Sequence, residues 1–287
     1  MNWNRCEDTL ACLSSLTKLD YPNLRLLLVD NGSSDGTPQL VAQKNPTVEV
    51  IVNESNLGFA AGCNVGLRHA LEQGADYVFL LNNDTLVDPA ALNHLIFLAG
   101  PDVGMVAPKI YNASNPAHIW SVGGMCHPLT LEKTGDGRGQ VDKGQWGEVL
   151  ERDYFVGCAL LLSRRLLTEV GLFDERFFMY YEDSDLSLRT RQAGFKLLLS
   201  PQAWVWHKVA VSSGGSDSLN ERYWMGRSSV LFFYKHVRGF RWLIVLPYRA
   251  GSAIKTVLRL ICEGKGLSAR AYLRGLYDGF IEACLPR

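Results

Sequence analysis

Short apolar runs typical of strands alternate with helical patterns in the first half of the chain, and this alternation restricts the fold more than any other feature. The runs that predict strands are Leu24–Val29, Val48–Val52, Tyr77–Leu81 and Val103–Ala107. The segments with helical spacing are Thr9–Leu19, Pro38–Gln43, Gly58–Leu71 and Pro89–Leu98. Such alternation is typical of an α/β fold whose mostly parallel sheet carries helices on both faces.

A doubly wound fold of this kind normally opens with a buried strand, but Asn2-Trp3-Asn4 stands directly before the first helical segment. We therefore expect the first strand to be missing from this sequence. Three interpretations stay open: the true start lies further upstream, another segment substitutes, or the sheet carries a defect at its centre.

The second half of the chain has an irregular part and a regular part. Residues 112–153 are rich in Gly, Pro, Asn and charged residues, which predicts an insertion or long loops. The elements predicted after it are a strand Tyr154–Leu162, helices Arg164–Val170 and Asp183–Ala193, an extended run Lys196–His207, a flexible stretch Ser212–Ser216, and helices to the end. We expect an α/β domain at 1–215, with halves of about 1–110 and 111–215, and a C-terminal helical region at 216–287.

Cysteine usage and the N-terminus indicate a cytoplasmic protein. The seven cysteines are scattered without a Cys-x-x-Cys pair, which favours reduced thiols over zinc or redox chemistry. The start, Met1–Arg5, lacks the apolar run of a signal peptide.

Charge is unevenly divided, although the whole chain is neutral. Beyond Leu219 there are twelve basic and four acidic residues, so this tail carries +8 and the rest carries −8. A basic tail predicts an anionic partner, and the apolar runs among its basic residues fit a membrane surface better than a nucleic acid. Arg249, Lys255 and Arg259 interrupt those runs, whereas a spanning helix needs roughly 20 apolar residues. A basic amphipathic region at the membrane interface and an ordinary helical appendage remain equal interpretations.

A polar cluster follows the strand predicted at Tyr77–Leu81, which runs into Asn82-Asn83-Asp84-Thr85. Open α/β sheets bind ligands outside the carboxyl ends of their strands, so Asp84 stands where a metal-bound diphosphate would be held. Taken alone, such a motif is more often a turn followed by a helix cap.

Two further segments have compatible chemistry. In Asp30–Thr37, Asp30 ends a strand and can accept hydrogen bonds from a nucleobase or ribose, while Asp35 or Thr37 caps a helix. In Asn56–Asn64, small residues open a helix whose N-terminal amides can face an anion, although small residues also serve helix packing.

The sharper signal is Phe178–Asp185, where three acids, Glu182, Asp183 and Asp185, follow aromatic residues at a helix start. One acid there is an ordinary complement to the helix dipole, but three exceed that need. A carboxylate partly desolvated by aromatics is suited to take a proton from an attacking hydroxyl. His207 ends a predicted strand; such a His is more often structural, but beside Asp84 it would be a second metal ligand.

Taken in chain order, these motifs resemble the family-2 inverting glycosyltransferases, and within them the rhamnosyltransferase-like branch. The segments that carry the resemblance are Asp30–Gly36, Asn56–Asn64, Asn82–Asp84, Tyr181–Leu186 and Trp206-His207. The likeness extends over residues 2–207. It implies the GT-A fold, a nucleotide-diphosphate-sugar donor and a divalent metal, Mg²⁺ or Mn²⁺.

The resemblance also implies roles for single residues. By position it assigns nucleotide contacts to Asn2, Asp30, Asn56, Asn64, Asn82 and Asn83, metal binding to Asp84 and His207, and general-base catalysis to Asp183. Many members carry an Asp where this chain has Asn82, so Asp84 alone supplies the metal carboxylate of that motif.

The activity that the resemblance implies is inverting transfer of a sugar, with thymidine-diphosphate-rhamnose (dTDP-rhamnose) as the favoured donor. The acceptor would be a glycan or a lipid-linked sugar in cell-surface polysaccharide synthesis, handled at the cytoplasmic face of the membrane without nucleic acid. Because the first strand is expected to be missing, the alternative interpretation is a catalytically degenerate protein that binds nucleotide sugars. A nucleotidyltransferase fits less well, because Arg5 is the only basic residue before Lys18 and a basic Gly-rich loop is absent there.

Overall fold

The computed structural model describes residues 1–208 and 216–285, and the chain forms two compact units. The first unit comprises 1–125, 134–174 and the described part of 183–209. The second comprises 126–133, 175–182 and the described residues from 216 onward. Two segments of the second unit thus precede the predicted domain boundary at 215. Of the predicted flexible stretch Ser212–Ser216, residues 212–215 lie outside the described residues.

Strands and helices alternate through the first unit, and helices dominate the second. The strands are β1 (Leu27–Asp30), β2 (Glu49–Val52), β3 (Tyr77–Leu81), β4 (Thr85–Val87), β5 (Val103–Asn112), β6 (Asn115–Ser121), β7 (Leu150–Glu151), β8 (Ala159–Ser163) and β9 (Lys196–His207). The helices are α1 (Cys6–Leu16), α2 (Thr37–Lys44), α3 (Gly58–Glu72), α4 (Ala91–Phe97), α5 (Arg164–Glu169), α6 (Glu182–Gln192), α7 (Leu219–His236), α8 (Trp242–Cys262) and α9 (Gly266–Cys284). A 3₁₀ turn, Gly239–Arg241, precedes α8.

The predicted α/β class is confirmed, but the prediction of a mostly parallel sheet is wrong. β1 and β2 form a parallel pair, and the other strands form a seven-stranded sheet in the order β3-β8-β5-β9-β4, with β6 beside β5 and β7 beside β9. In that larger sheet of described strands, only β5 and β9 pair in parallel. The reason is that β8 inserts antiparallel between β3 and β5 after a long irregular connection, where a crossover helix would have kept the strands parallel.

The core of the first unit lies on both faces of the central strands β5 and β8. Successive strand residues point to opposite faces, so Met105 packs with Leu67 of α3 on one side. On the other side Val106 and Leu161 pack with Leu95 of α4. Helices therefore cover both faces of the sheet.

Residues at the start of the chain lie between β1 and β3. The backbone N–H of Asn2 donates to the Val29 carbonyl (2.8 Å), and the Met1 amino group donates to the Leu81 carbonyl (3.1 Å). Asn2 forms an isolated parallel bridge with Asp30. A groove of about 790 Å³ is lined by residues of β1 and β3, and no strand pairing links the two sheets in the described part of the chain.

Some strands were not predicted from the sequence because they are short or exposed. β6 and β7 fall within residues 112–153, which the sequence pattern assigned to loops. β6 is exposed over its first three residues, and β7 and β4 are too short to show a periodicity. β8 starts at Ala159 rather than at the predicted Tyr154.

In the second unit, α7 and α9 pack backbone to backbone. A Cβ on Gly275 would overlap the carbonyl oxygen of Tyr223, and one on Gly279 would overlap that of Arg227, so these positions require glycine. Over the described residues, none of the helices is both long and apolar enough to cross a membrane.

Candidate active site

Asp84 and His207 face each other at the edge of the seven-stranded sheet. β4 pairs antiparallel with the end of β9, which sets Thr85 opposite His207, and the N–H of Lys208 donates to the Asp84 carbonyl (2.9 Å). His207 Nε2 consequently lies 3.2 Å from Asp84 Oδ1, and both side chains are buried. The geometry of this contact is not that of a hydrogen bond, and Asp84 Oδ1 has no hydrogen-bond partner in the described part of the chain. A buried carboxylate oxygen in this state is suited to a ligand.

Asp183 contacts the residues that directly precede β8, next to the end of β3. Its Oδ2 accepts a hydrogen bond from the N–H of Gly157 (3.1 Å), and the next residue, Cys158, accepts one from the N–H of Asn82 (2.9 Å). Burial raises the pKa of the Cys158 thiol well above its ordinary value, and the negative charges of Asp84 and Asp183 raise it further. Both carboxylates therefore act on one short segment, Gly157-Cys158. Residues distant in the sequence, at 82, 84, 183 and 207, are brought together here.

The structure separates the three bunched acids of α6 from one another. Asp185 is fully buried and pairs with Arg189 (2.8 Å), and Glu182 is also buried. Asp183 is partly exposed, and its Oδ1 accepts hydrogen bonds from the backbone N–H and hydroxyl of Ser184 (2.6 and 3.0 Å). Of the three, Asp183 is the carboxylate that an external hydroxyl can reach.

The backbone that leads into α6 is strained. Tyr180 and Tyr181 adopt left-handed φ angles of 67° and 69°, which residues other than glycine rarely adopt. Each such residue costs on the order of 1–3 kcal/mol, and strain of this kind clusters at functional sites. It lies directly before the acids of α6.

A second hydrogen-bonded group joins the start of the chain to β1. The Nδ2 of Asn2 donates to Asp30 Oδ1 (2.5 Å), and the backbone N–H of Ser33 donates to Asp30 Oδ2 (2.8 Å). Asn83 Nδ2 donates to Asn2 Oδ1 (2.9 Å), as does the hydroxyl of Thr9 (2.9 Å). Asn2, Asp30 and Asn83 thus form one group, which adjoins Asp84 through the chain. Asp30 is fully buried within it.

Asn56 helps to hold two loops against each other. Its Oδ1 accepts hydrogen bonds from Asn31 Nδ2 and from the N–H of Gly58, both at 2.9 Å. Gly32 has a φ of 75°, and a Cβ there would lie 2.7 Å from the backbone of Ser55. Only glycine permits this close approach of the two loops.

Asn64 is bonded to the backbone of Phe173. It is buried, its Nδ2 donates to the Phe173 carbonyl (2.9 Å), and its Oδ1 accepts from the Phe173 N–H (3.1 Å). Both ends of the amide are thus engaged with the backbone of one residue. These bonds anchor the loop that carries Phe173, and the nucleoside contact that the resemblance implies for Asn64 stays a prediction.

Trp120 was missed by the sequence analysis. Its ring lies edge to face with that of His207, with 4.5 Å between centroids, and the guanidinium of Arg138 lies 5.7 Å from the Trp120 ring. Both residues fall in 112–153, which the sequence pattern assigned to loops. Aromatic and basic residues in such a region were the available signal, but nothing in the sequence connected them to His207.

Two family descriptions match the chain. Residues 2–145 match "Glycosyl transferase family 2", and residues 77–264 match "Glycosyl transferase family group 2". The chain belongs to glycosyltransferase family 2. The resemblance inferred from the motifs is thereby confirmed, and so is the assignment of this protein as a glycosyltransferase.

Curated relatives and solved structures agree with this assignment. The glycosyltransferase is 30% identical to the N-acetylglucosaminyl-diphospho-decaprenol L-rhamnosyltransferase of Mycobacterium tuberculosis over 221 residues, 70% of this chain and 72% of that protein. It is 26% identical to the poly-β-1,6-N-acetyl-D-glucosamine synthase of Staphylococcus epidermidis over 271 residues, 91% of this chain and 62% of that protein. Its fold matches the mannosyltransferase PcManGT from Pyrobaculum calidifontis, solved with GDP-Man and Mn²⁺, with a TM-score of 0.59, 19% identity and coverage of 99% and 74%. The predicted GT-A fold is confirmed.

The Asp84 and His207 pair has the donor chemistry and spacing that suit a divalent metal. Neighbouring ligands of an octahedral ion with bonds of roughly 2.1 Å lie about 3 Å apart, close to the 3.2 Å between Asp84 Oδ1 and His207 Nε2. No cluster of three His, Cys, Asp or Glu side chains with metal-binding geometry occurs among the described residues. Two protein donors would leave the remaining positions to diphosphate and water, a common arrangement for metals that serve phosphates.

Proposed function

We propose that this glycosyltransferase moves rhamnose from dTDP-rhamnose to a hydroxyl of a lipid-linked glycan, with inversion at the anomeric carbon. The observation that carries the proposal is the convergence of Asp84, Asp183 and His207 around Gly157-Cys158. The choice of rhamnose and of a lipid-linked acceptor is supported by the name of the Mycobacterium tuberculosis relative. A role in polysaccharide synthesis also agrees with the name of the Staphylococcus epidermidis relative.

Asp84 and His207 would hold a divalent metal, Mg²⁺ or Mn²⁺. When bound, the ion neutralises the charge that develops on the leaving diphosphate. The buried Oδ1 of Asp84, which accepts no hydrogen bond from the described residues, supports this role, and the Mn²⁺ present with the fold neighbour is consistent with it.

Asp183 would act as the general base of a single displacement. Its carboxylate takes the proton of the acceptor hydroxyl, the acceptor oxygen bonds to the anomeric carbon, and the bond from that carbon to the diphosphate breaks on the opposite face. Partial exposure of Asp183 supports this assignment over Glu182 and Asp185. The Gly157 N–H orients the carboxylate through its hydrogen bond to Oδ2.

The nucleotide would lie along the loops that follow β1 and β3. Asn82 and Asn83 lead from β3 to Asp84, and Asn83 is bonded to Asn2. Because the Asp30 carboxylate is buried and engaged with Asn2 and Ser33, we assign it chiefly to ordering the base-binding loop. Asn56 would hold the opposite loop in place.

The acceptor sugar would pack against Trp120. Its ring centroid lies 4.5 Å from that of His207, and ligand pockets are lined mainly by hydrophobic and aromatic side chains. Because the acceptor is lipid-linked, we place the protein in the cytoplasm, peripheral on the inner face of the membrane.

A degenerate nucleotide-sugar-binding protein remains the second candidate. The observation that favours it is the groove of about 790 Å³ between β1 and β3, across which the described strands do not pair. A sheet interrupted beneath the nucleotide loops can bind a donor yet position it poorly for reaction.

The two candidates are separated by a thermal-shift panel followed by a transfer assay. The panel contains dTDP-rhamnose, UDP-N-acetylglucosamine and GDP-mannose, each with Mg²⁺, with Mn²⁺ and with chelator. We expect the largest rise in Tm with dTDP-rhamnose plus metal, and transfer to a diphospholipid-linked N-acetylglucosamine acceptor. A larger shift with another donor would overturn the choice of rhamnose. Donor binding without transfer and without metal-dependent donor hydrolysis would support the degenerate protein.

A further inference from the structure

Helix α8 and the turn before it expose an apolar face that the other described residues of the second unit leave uncovered. The large apolar side chains exposed there are Phe240, Leu243, Ile244, Leu246, Ile254, Leu258 and Ile261. At 100° per residue, Leu243, Ile254, Leu258 and Ile261 fall within one narrow side of the helix. Val245 and Leu260 lie on the opposite side and are fully buried. The helix is therefore apolar on both sides, although only one side packs against protein.

Helix α9 repeats this arrangement. Its glycine face, with Gly275 and Gly279, packs on α7. Leu273, Tyr277 and Phe280 point away from that contact and are exposed, with Tyr277 66% and Phe280 57% accessible. Isolated exposed apolar residues are ordinary, but a run of them along two helices marks an interaction surface.

The charge along α8 has a single sign, whereas α9 carries Asp278 and Glu282 beside its basic residues. From Arg222 to Cys262 the sequence contains eight basic residues and no acidic residue. Lys255 stands beside Ile254, and Arg270 and Arg274 flank the exposed apolar residues of α9; all three are themselves exposed. Apolar side chains interleaved with cations match the headgroup region of an anionic bilayer, where apolar groups enter the lipid and cations meet phosphates.

We propose that the exposed faces of α8 and α9 dock on an anionic lipid surface, with both helices lying along the membrane rather than crossing it. Each exposed leucine that enters lipid contributes transfer free energy, and each basic side chain adds attraction. A second copy of the chain fits this surface less well, because pairing two such faces would bring the basic residues of both copies together. The inference goes beyond the proposed sugar transfer and is independent of the donor.

Vesicle flotation of the full chain tests the inference. We expect it to float with vesicles that contain phosphatidylglycerol, to float poorly with phosphatidylcholine alone, and to be released by raised salt. The double variant Leu243→Ser/Leu258→Ser should bind roughly 100-fold more weakly, since roughly tenfold is expected for each leucine. Phe97→Ser removes an equally exposed apolar side chain from α4 of the first unit and should bind like the parent.

A charge variant gives a second test that does not depend on the folding of the leucine variant. Lys255→Glu/Arg270→Glu changes only exposed side chains, should keep the parent Tm, and should weaken binding to phosphatidylglycerol vesicles roughly tenfold for each reversed charge. Absence of flotation by the parent protein would overturn the inference. So would an equal loss in Phe97→Ser, or a dimer in sedimentation that Leu243→Ser/Leu258→Ser dissociates while vesicle binding stays unchanged.

Discussion

Two buried aspartates, Asp217 in the second unit and Asp84 in the first, have opposite surroundings. The Asp217 carboxylate accepts hydrogen bonds from Arg259 and Lys265, each at 2.8 Å, and lies 3.2 Å from Nε of Arg222. These hydrogen bonds from Arg259 and Lys265 hold its pKa well below the ordinary value. Oδ1 of Asp84 lies 3.2 Å from Nε2 of His207 and accepts no hydrogen bond from the described residues.

This contrast indicates a structural role for the Asp217 carboxylate and a functional role for the Asp84 carboxylate. A buried carboxylate surrounded by cations secures the ends of helices, and removing it leaves those cations unmatched. A buried carboxylate with an oxygen that accepts no hydrogen bond costs stability unless a ligand compensates for it. The comparison predicts that changes at Asp84 and Asp183 affect activity, whereas changes at Asp217 affect stability.

The largest expected effect is that of Asp183→Asn. General-base catalysis contributes on the order of 10²- to 10⁴-fold in rate, so sugar transfer should fall by about that factor. The amide cannot take the acceptor proton, but it keeps the shape of the side chain, and the affinity for the donor should therefore stay near that of the parent. Turnover in a transfer assay and donor binding by calorimetry measure the two effects separately.

Asp102→Asn is the matched control for that variant. Asp102 is an exposed carboxylate that precedes β5, at the far end of the strand from Asn112, which pairs with His207. Its replacement should leave turnover unchanged. Equal rates for the parent and Asp183→Asn would remove Asp183 from the role of base.

The next effect in size is that of Asp84→Ala on donor binding in the presence of metal. Loss of one of two protein donors should weaken the metal-dependent affinity for the donor at least 10- to 100-fold. With chelator present, the variant and the parent should bind the donor alike. Identical affinities in both conditions would mean that Asp84 has no part in metal binding, and the contrast with Asp217 would then fail.

Much of the fold and part of the site followed from local sequence pattern. β3 has the predicted bounds Tyr77–Leu81, and α6 lies within one residue of the predicted helix. Asp84 and His207 could be placed near strand ends because an apolar run stops shortly before each of them. Their proximity depends on the antiparallel pairing of β4 with β9. A strand of three residues is too short to show a hydrophobic periodicity, so this pairing could not be predicted from the sequence.

The contacts that complete the site depend on long-range pairing. Gly157 meets Asp183 because β8 inserts between β3 and β5, and no local pattern encodes which strands become neighbours. The same limitation hid Trp120, whose partner His207 lies far away in the sequence. The role of Asp183 as the base stays a prediction.

In the second unit, Asp217→Asn should lower stability by roughly 1–3 kcal/mol, because the cations around it lose a buried partner. Hydrogen exchange across α9 measures the change locally, and faster exchange is expected there without loss of donor binding. Glu263→Gln is the matched control: Glu263 bonds the same Arg259 and Lys265 but is exposed, so a smaller effect is expected. If the two variants exchange alike, burial of Asp217 adds nothing to its role.

The smallest effect is the pH dependence of the difference in stability between the parent and Asp217→Asn. The folded pKa of Asp217 lies below its ordinary value of 3.8, so its ion pairs contribute fully above that pH and the contribution declines as pH falls toward the folded pKa. Asn cannot ionise, so the stability gap between the parent and Asp217→Asn should be constant near neutral pH and narrow below about pH 4. Denaturant unfolding of both proteins across this range measures the gap. A gap that stays constant to the most acidic pH would mean that the charge of Asp217 contributes nothing, and that its hydrogen bonds alone set it apart from Asp84.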